Sequence, residues 1–208
     1  MWLRIAQLAL AMLIDHASSE PAIRMGVLVY DDARLGPDVL NLAESEAGRV
    51  FRAAGIYLEW VSCPLSQSEA ARYPRCNLVP GPTTPVLRIL PGQMQAAMGQ
   101  PHDSFGFAMF PPDGSAGWIA NVFAAEAEKL ASRSPVRSGV LLGAIAAHEL
   151  GHLLLGQGRH SDTGIMRARW GPKDLERAEQ GRLQFSAAQG VQLRRNFELR
   201  LNSARAAK

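Results

Sequence analysis

The sequence predicts an α+β fold with five strands, two long helices and a small C-terminal part holding one further helix. Three observations carry that prediction. Five short apolar runs, at 23–30, 56–61, 86–90, 105–110 and 117–123, each have Gly, Pro or Asp at one boundary at least. Two longer segments, 37–54 and 134–155, repeat their apolar residues at three and four. After 156 only one strong helical stripe returns.

In chain order, Ile23, Met25, Val27 and Val29 alternate with other residues, and Asp31-Asp32 form the turn that ends this first strand. Pro37 after Gly36 marks a helix start, Ala43, Ala47, Val50, Phe51 and Ala54 supply its buried stripe, and Gly55 closes it. The second strand, 56–61, leads into a Pro- and Ser-rich loop between Cys63 and Cys76. Pro85 and Pro91 bracket the third, Pro111-Pro112 stop the fourth, and the fifth runs into a short helix at 124–131. Ser134-Pro135 reads as N-cap and N1 of the second long helix. Leu141, Leu142, Ile145, Leu150 and Leu153 make that helix central, and Gly151 suits the close approach of another backbone. Ser186 caps a last helix striped by Leu193, Phe197 and Leu201.

The 208 residues suit one domain, 20–208, behind a short processed end. Hydrophobic residues make up 47% of the chain, enough for a packed core. Net charge is +3, but Lys and Arg are scattered; Arg194-Arg195 and the tail from Arg200 read as a solvated face, so no nucleic-acid partner is expected. Arg4, the apolar run 5–14 and Ala17-Ser18-Ser19 form a signal-peptide pattern over 1–19. That run is too short to span a bilayer, so the expectation is a secreted or periplasmic protein without stable membrane insertion. Cys63 and Cys76 are the only two cysteines, and an even pair flanking a loop reads as one disulfide in an oxidising compartment.

The chemistry concentrates in His148-Glu149-Leu150-Gly151-His152. Residues four apart on a helix share a face, so the two imidazoles can reach one metal ion. Glu149 is poorly placed as a third ligand and well placed to take a proton from water at that metal. Gly156 suits the left-handed position that ends the helix, and Gly158 lets the chain double back to deliver His160. His16 and His102 have no partner at ligand spacing and read as surface residues.

His152…Gly156…His160-Ser161, followed by Gly164-Ile165-Met166, resembles the metzincin zinc metalloproteases, especially the matrixin branch. The resemblance implies a metzincin-like zincin fold with a twisted, mixed five-stranded sheet. It implies an N-terminal subdomain of about 20–156, and a C-terminal one of about 157–208 with a Met-turn and one helix. It further implies one catalytic Zn2+ on His148, His152 and His160, with Glu149 as general base and Met166 as the Met-turn residue. Seven residues separate His152 from His160, where the family usually has five. Its fourth strand forms the sheet edge, so Phe105, Gly106, Phe107 and Ala108 are expected to line the substrate, with Gly106 and Ala108 keeping one side open.

The expected function is therefore a zinc endopeptidase that hydrolyses peptide bonds of a peptide or protein substrate with a metal-activated water. One alternative takes Glu176 or Glu179 as third ligand, the Glu-zincin arrangement. Another is a secreted, zinc-stabilised binding module without turnover. Oligomeric state and cleavage preference have no signature in the sequence.

Overall fold

In the computed structural model, residues 22–207 are described. The signal-peptide expectation over 1–19 lies outside them. The first strand, β1 (Ile23–Asp31), runs into helix α1 (Pro37–Ala53) and returns as β2 (Ile56–Cys63). These strands pair in parallel, as a helical crossover requires, and Asp31 accepts a bond from Leu35 N at 2.7 Å that shapes the turn into α1. β3 (Val86–Leu90), β4 (Gly106–Met109) and β5 (Ile119–Phe123) complete one sheet in the order β2-β1-β3-β5-β4. Only β4 is antiparallel, and it lies at the edge. The sheet is mixed because a short hairpin-type return, not a helical crossover, joins β4 to β5.

Alternation along β1 separates two cores. Met25, Val27 and Val29 face the helices, whereas Leu28 joins Val61, Cys63 and Val86 on the other face. The loop after β2 holds two short helical turns, α2 (Gln67–Ala70) and a 3-10 turn at Pro74–Asn77, and a further turn, α3 (Gln93–Ala97), follows β3. Cys63 and Cys76 are joined by a disulfide with Cα atoms 5.6 Å apart, which pins this loop to the end of β2. Closing a loop of this size should contribute about 3 kcal/mol through the unfolded chain. Native protein is therefore expected to show no free thiol by alkylation and intact mass, and reduction should lower its denaturation midpoint. Two titratable thiols on native material would contradict the bridge.

Helix α4 (Ala124–Ala131) leads to α5 (Ser138–Leu155), the helix at the centre of the molecule. It begins three residues later than Ser134-Pro135 suggests. Those residues instead close the turn after α4, with Ser134 Oγ donating to Leu130 O at 2.9 Å, and Arg137 occupies the N-cap. The local cap signal is real, but the preceding helix uses it. Leu141, Leu142, Ile145, Leu150 and Leu153 are all buried, each worth about 1.5–3 kcal/mol relative to exposure. Apolar enough to pass for a membrane span, α5 is instead enclosed by the rest of the fold. A Cβ at Gly143 would stand 2.4 Å from Ala43 O, so this glycine is what lets α1 and α5 cross closely.

The C-terminal part carries two helices rather than one, α6 (Pro172–Glu179) and α7 (Ala187–Ala206). Gly171-Pro172 is a start signal for α6, but five of its eight residues are charged and it shows no strong apolar stripe; the buried Asp174, Leu175 and Ala178 hold it. α7 starts at Ser186, whose hydroxyl accepts from Gln189 N at 3.2 Å. Its basic residues are not a solvated face throughout. Arg194 donates to Ala54 O at 2.6 Å, and the half-buried Arg200 donates to the carbonyls of Pro82, Gly117 and Leu153. These bonds tie α7 to the C-terminal ends of α1 and α5.

Candidate metal centre

Helix periodicity places His148 and His152 one above the other on α5, and their Nε2 atoms lie 3.0 Å apart. The helix ends at Leu155, where Gly156 adopts φ 107°, a backbone state that side-chain-bearing residues rarely tolerate. Gly158 follows at φ 67°, and the chain folds back so that His160 Nε2 reaches 3.1 Å from His152 Nε2. The three ring nitrogens all lie within 4.8 Å of one another. Gln157 and Gly158 of this loop line the cleft.

This arrangement fits a zinc ion. One ring nitrogen carries either one proton or one lone pair, so three converging nitrogens cannot satisfy each other by hydrogen bonding. A shared cation can, and tetrahedral zinc with bonds of about 2.0–2.1 Å spaces its ligand atoms about 3.3 Å apart. His148 Nδ1 lies 2.7 Å from Ile165 O, an acceptor that demands a proton on Nδ1 and leaves the Nε2 lone pair free. Burial first, and the neighbouring His152 second, hold His148 down at about 3; burial, then His160, hold His152 at about 4. Both imidazoles are thus neutral at physiological pH, the form that ligates metal.

Glu149 is 6% exposed and burial pushes its carboxyl up to about 8. A dication among the three histidines would bring that value back down. The carboxylate sits under the edge strand: a Cβ at Gly106 would stand 2.9 Å from Glu149 Cγ and 2.5 Å from Asn121 O. Gly106 therefore makes room for Glu149 and the β5 backbone, rather than for a ligand. Gly151 likewise admits side chains, not a backbone, since a Cβ there would meet Met166 Sδ and the Phe185 ring, each at 2.8 Å. Met166 is fully buried against this helix, and the turn that carries it is closed by Ser161 N donating to Met166 O at 2.9 Å.

Glu176 and Glu179 are outside the cluster. Glu179 accepts from Arg137 Nε at 2.7 Å and from its backbone N, at the start of α5, and Glu176 accepts from Gln180. Among the described residues, the three histidines are the group assembled for a metal. His102 is exposed and apart from it; His16 lies outside the described residues.

A cleft of about 640 Å³ opens in front of the histidines. Phe105, Gly106, Phe107 and Ala108 of the edge-strand segment line it, and so do Arg167 to Trp170. Sequence reasoning missed Trp170 and Asp174 as parts of the site. Trp170 Nε1 donates to the Ile165 carbonyl that orients His148, and its ring lies edge-on to His148 at 5.9 Å. A tryptophan just beyond the Met-containing turn was the available signal.

Fold and site together define an α+β protein with a mixed, edge-antiparallel sheet and a three-histidine centre that fits zinc. No protein-family profile and no curated protein matches the chain. Among solved structures it is similar to a zinc-dependent peptidase from Methanocorpusculum labreanum, with a TM-score of 0.50 and 17% identity over 81% of this chain and 100% of that one. It is also similar to archaemetzincin from Methanopyrus kandleri, with a TM-score of 0.47 and 15% identity over 89% of this chain and 99% of that one. The first likeness shows that the chain shares the fold of that solved structure.

Proposed function

We propose that the chain is a zinc-dependent endopeptidase of metzincin type, with His148, His152 and His160 holding the ion and Glu149 as general base. The observation that carries this reading is the convergence of three imidazoles on one point beside a buried carboxyl group, in an open cleft. The solved neighbour named as a zinc-dependent peptidase supports it. When bound, zinc supplies Lewis acidity, polarising a carbonyl and acidifying water.

The chain's own residues supply the rest. The unpaired edge of β4 offers backbone donors and acceptors to an extended peptide, which can add to the sheet as a further antiparallel strand. Glu149 takes a proton from the attacking water and passes it to the leaving amine nitrogen, so that the C–N bond breaks without an amide anion. Ile165 O and Trp170 hold the His148 ring in place. Met166, packed under Gly151, supports the helix between its two histidines. Ser161 after His160 and Met166 in the following turn favour a matrixin-like arrangement. We also infer export, with residues 1–19 removed; the disulfide supports that compartment.

Purified protein is expected to carry about one zinc per chain and to cleave a generic protein substrate. A chelator should abolish the cleavage and zinc should restore it. Stoichiometric zinc without turnover on a broad peptide library would instead support the binding-module alternative.

A further inference from the structure

Two arginines line the cleft, and they are not equivalent. Arg167 donates to Asp174 Oδ2 at 2.7 Å, and Asp174 is only 3% exposed, so this guanidinium is neutralised by a buried partner. The same Oδ2 accepts from Gly171 N at 3.0 Å. One carboxylate thus clamps both ends of the segment from 167 to 171. Trp170 is pinned within it by its bond to Ile165 O. Arg169 stands on this clamped segment, lines the cleft, and is exposed. Among the described residues no carboxylate lies within ion-pair distance of it.

The remaining charge in the cleft sharpens the contrast. Besides Glu149 at its floor, the only acidic residue lining it among the described residues is Asp103, on the segment that precedes β4. Apolar walls of Phe105, Phe107, Ile145 and Trp170 strengthen an electrostatic attraction relative to open water. A guanidinium held on an ordered segment loses little freedom when it binds, and its planar fork matches a carboxylate bidentately.

We infer that Arg169 is a specificity residue that selects peptides bearing a carboxylate near the scissile bond, either an acidic side chain or a free C-terminus. The inference rests on the peptidase reading of the cleft. A backbone aligned on the β4 edge would lie in the cleft that residues 167–170 also line, where such a carboxylate would meet Arg169.

The test uses zinc-loaded Glu149→Gln protein, whose turnover is strongly reduced, and peptide twins that differ by Asp against Asn, or by a C-terminal acid against amide. Calorimetry at low salt should show the acidic member of one pair binding about tenfold tighter, a typical gain for a charge-assisted bidentate contact. Which pair shows it identifies the source of the carboxylate. The preference should weaken at high salt, disappear in Arg169→Gln and be partly retained in Arg169→Lys. Arg195→Gln, which removes an exposed charge on α7, controls for net charge. With wild-type enzyme the same twins should differ in KM more than in kcat. Equal binding of the twins, a preference that survives Arg169→Gln, or an equal loss in Arg195→Gln overturns the inference. Carboxylate-selective binding in a wild type that cleaves none of the peptides would instead sink the peptidase reading and leave the binding site standing.

Discussion

Glu149→Gln is expected to leave zinc bound and to lower hydrolysis by about 10²–10⁴-fold, the usual worth of a positioned general base. The carboxyl group lies beside the histidine cluster, not within it, so its removal takes no ligand from the metal. The amide keeps the volume that packs beneath Gly106, so the edge strand should not shift. Metal content and circular dichroism report folding and loading, and kcat reports the chemistry; unchanged turnover in a folded, loaded variant would remove Glu149 from the mechanism. A second readout comes from metal-free protein. There the folded carboxyl titrates at about 8 against an unfolded value of 4.5, so the folded state holds its proton more tightly. That contribution to stability is complete below about pH 4.5 and is lost as pH rises through 8. Relative to wild type at the same pH, the urea midpoint of the Gln variant should therefore be higher at pH 8 than at pH 5.

His160→Ala is expected to weaken zinc binding by at least two orders of magnitude, while Glu179→Ala leaves it nearly unchanged. Removing His160 leaves two protein ligands, and a catalytic zinc site ordinarily has three. The ring arrives on a loop with two positive-φ glycines and is exposed, so its loss should cost little folding energy. Glu179 already bonds Arg137 at the start of α5, and its removal should reduce stability rather than metal affinity. Competition against a chromogenic chelator measures both variants. The opposite pattern would make the protein a Glu-zincin, with hydrolysis retained and the third ligand reassigned.

The local physics of the chain is legible in its residues alone. Helix periodicity by itself stacks His148 over His152, because residues four apart share a face wherever they occur. Gly156 and Gly158 announce a reversal, since only glycine enters the left-handed region without strain. Pro85 and Pro91 locate the third strand to the residue, and Ser186 marks the start of α7. These signals act within a few residues of themselves.

Features that depend on neighbours distant in sequence are not legible in this way. That Gly106 makes way for Glu149, forty-three positions later, cannot be seen in either residue's own surroundings. Arg194 and Arg200 read as solvated because α7 carries charge on several sides, and only the packed structure supplies the carbonyls they bind. Ser134-Pro135 satisfies a capping rule that the turn after α4 uses first. The sequence by itself determined the chemistry of the centre, because ligand type and helical spacing are local properties. Only the tertiary structure decided which glycine cradles which side chain, which arginine is neutralised and which faces the cleft. Those outcomes are set by burial and by long-range hydrogen-bond partners, and neither exists until the chain has folded.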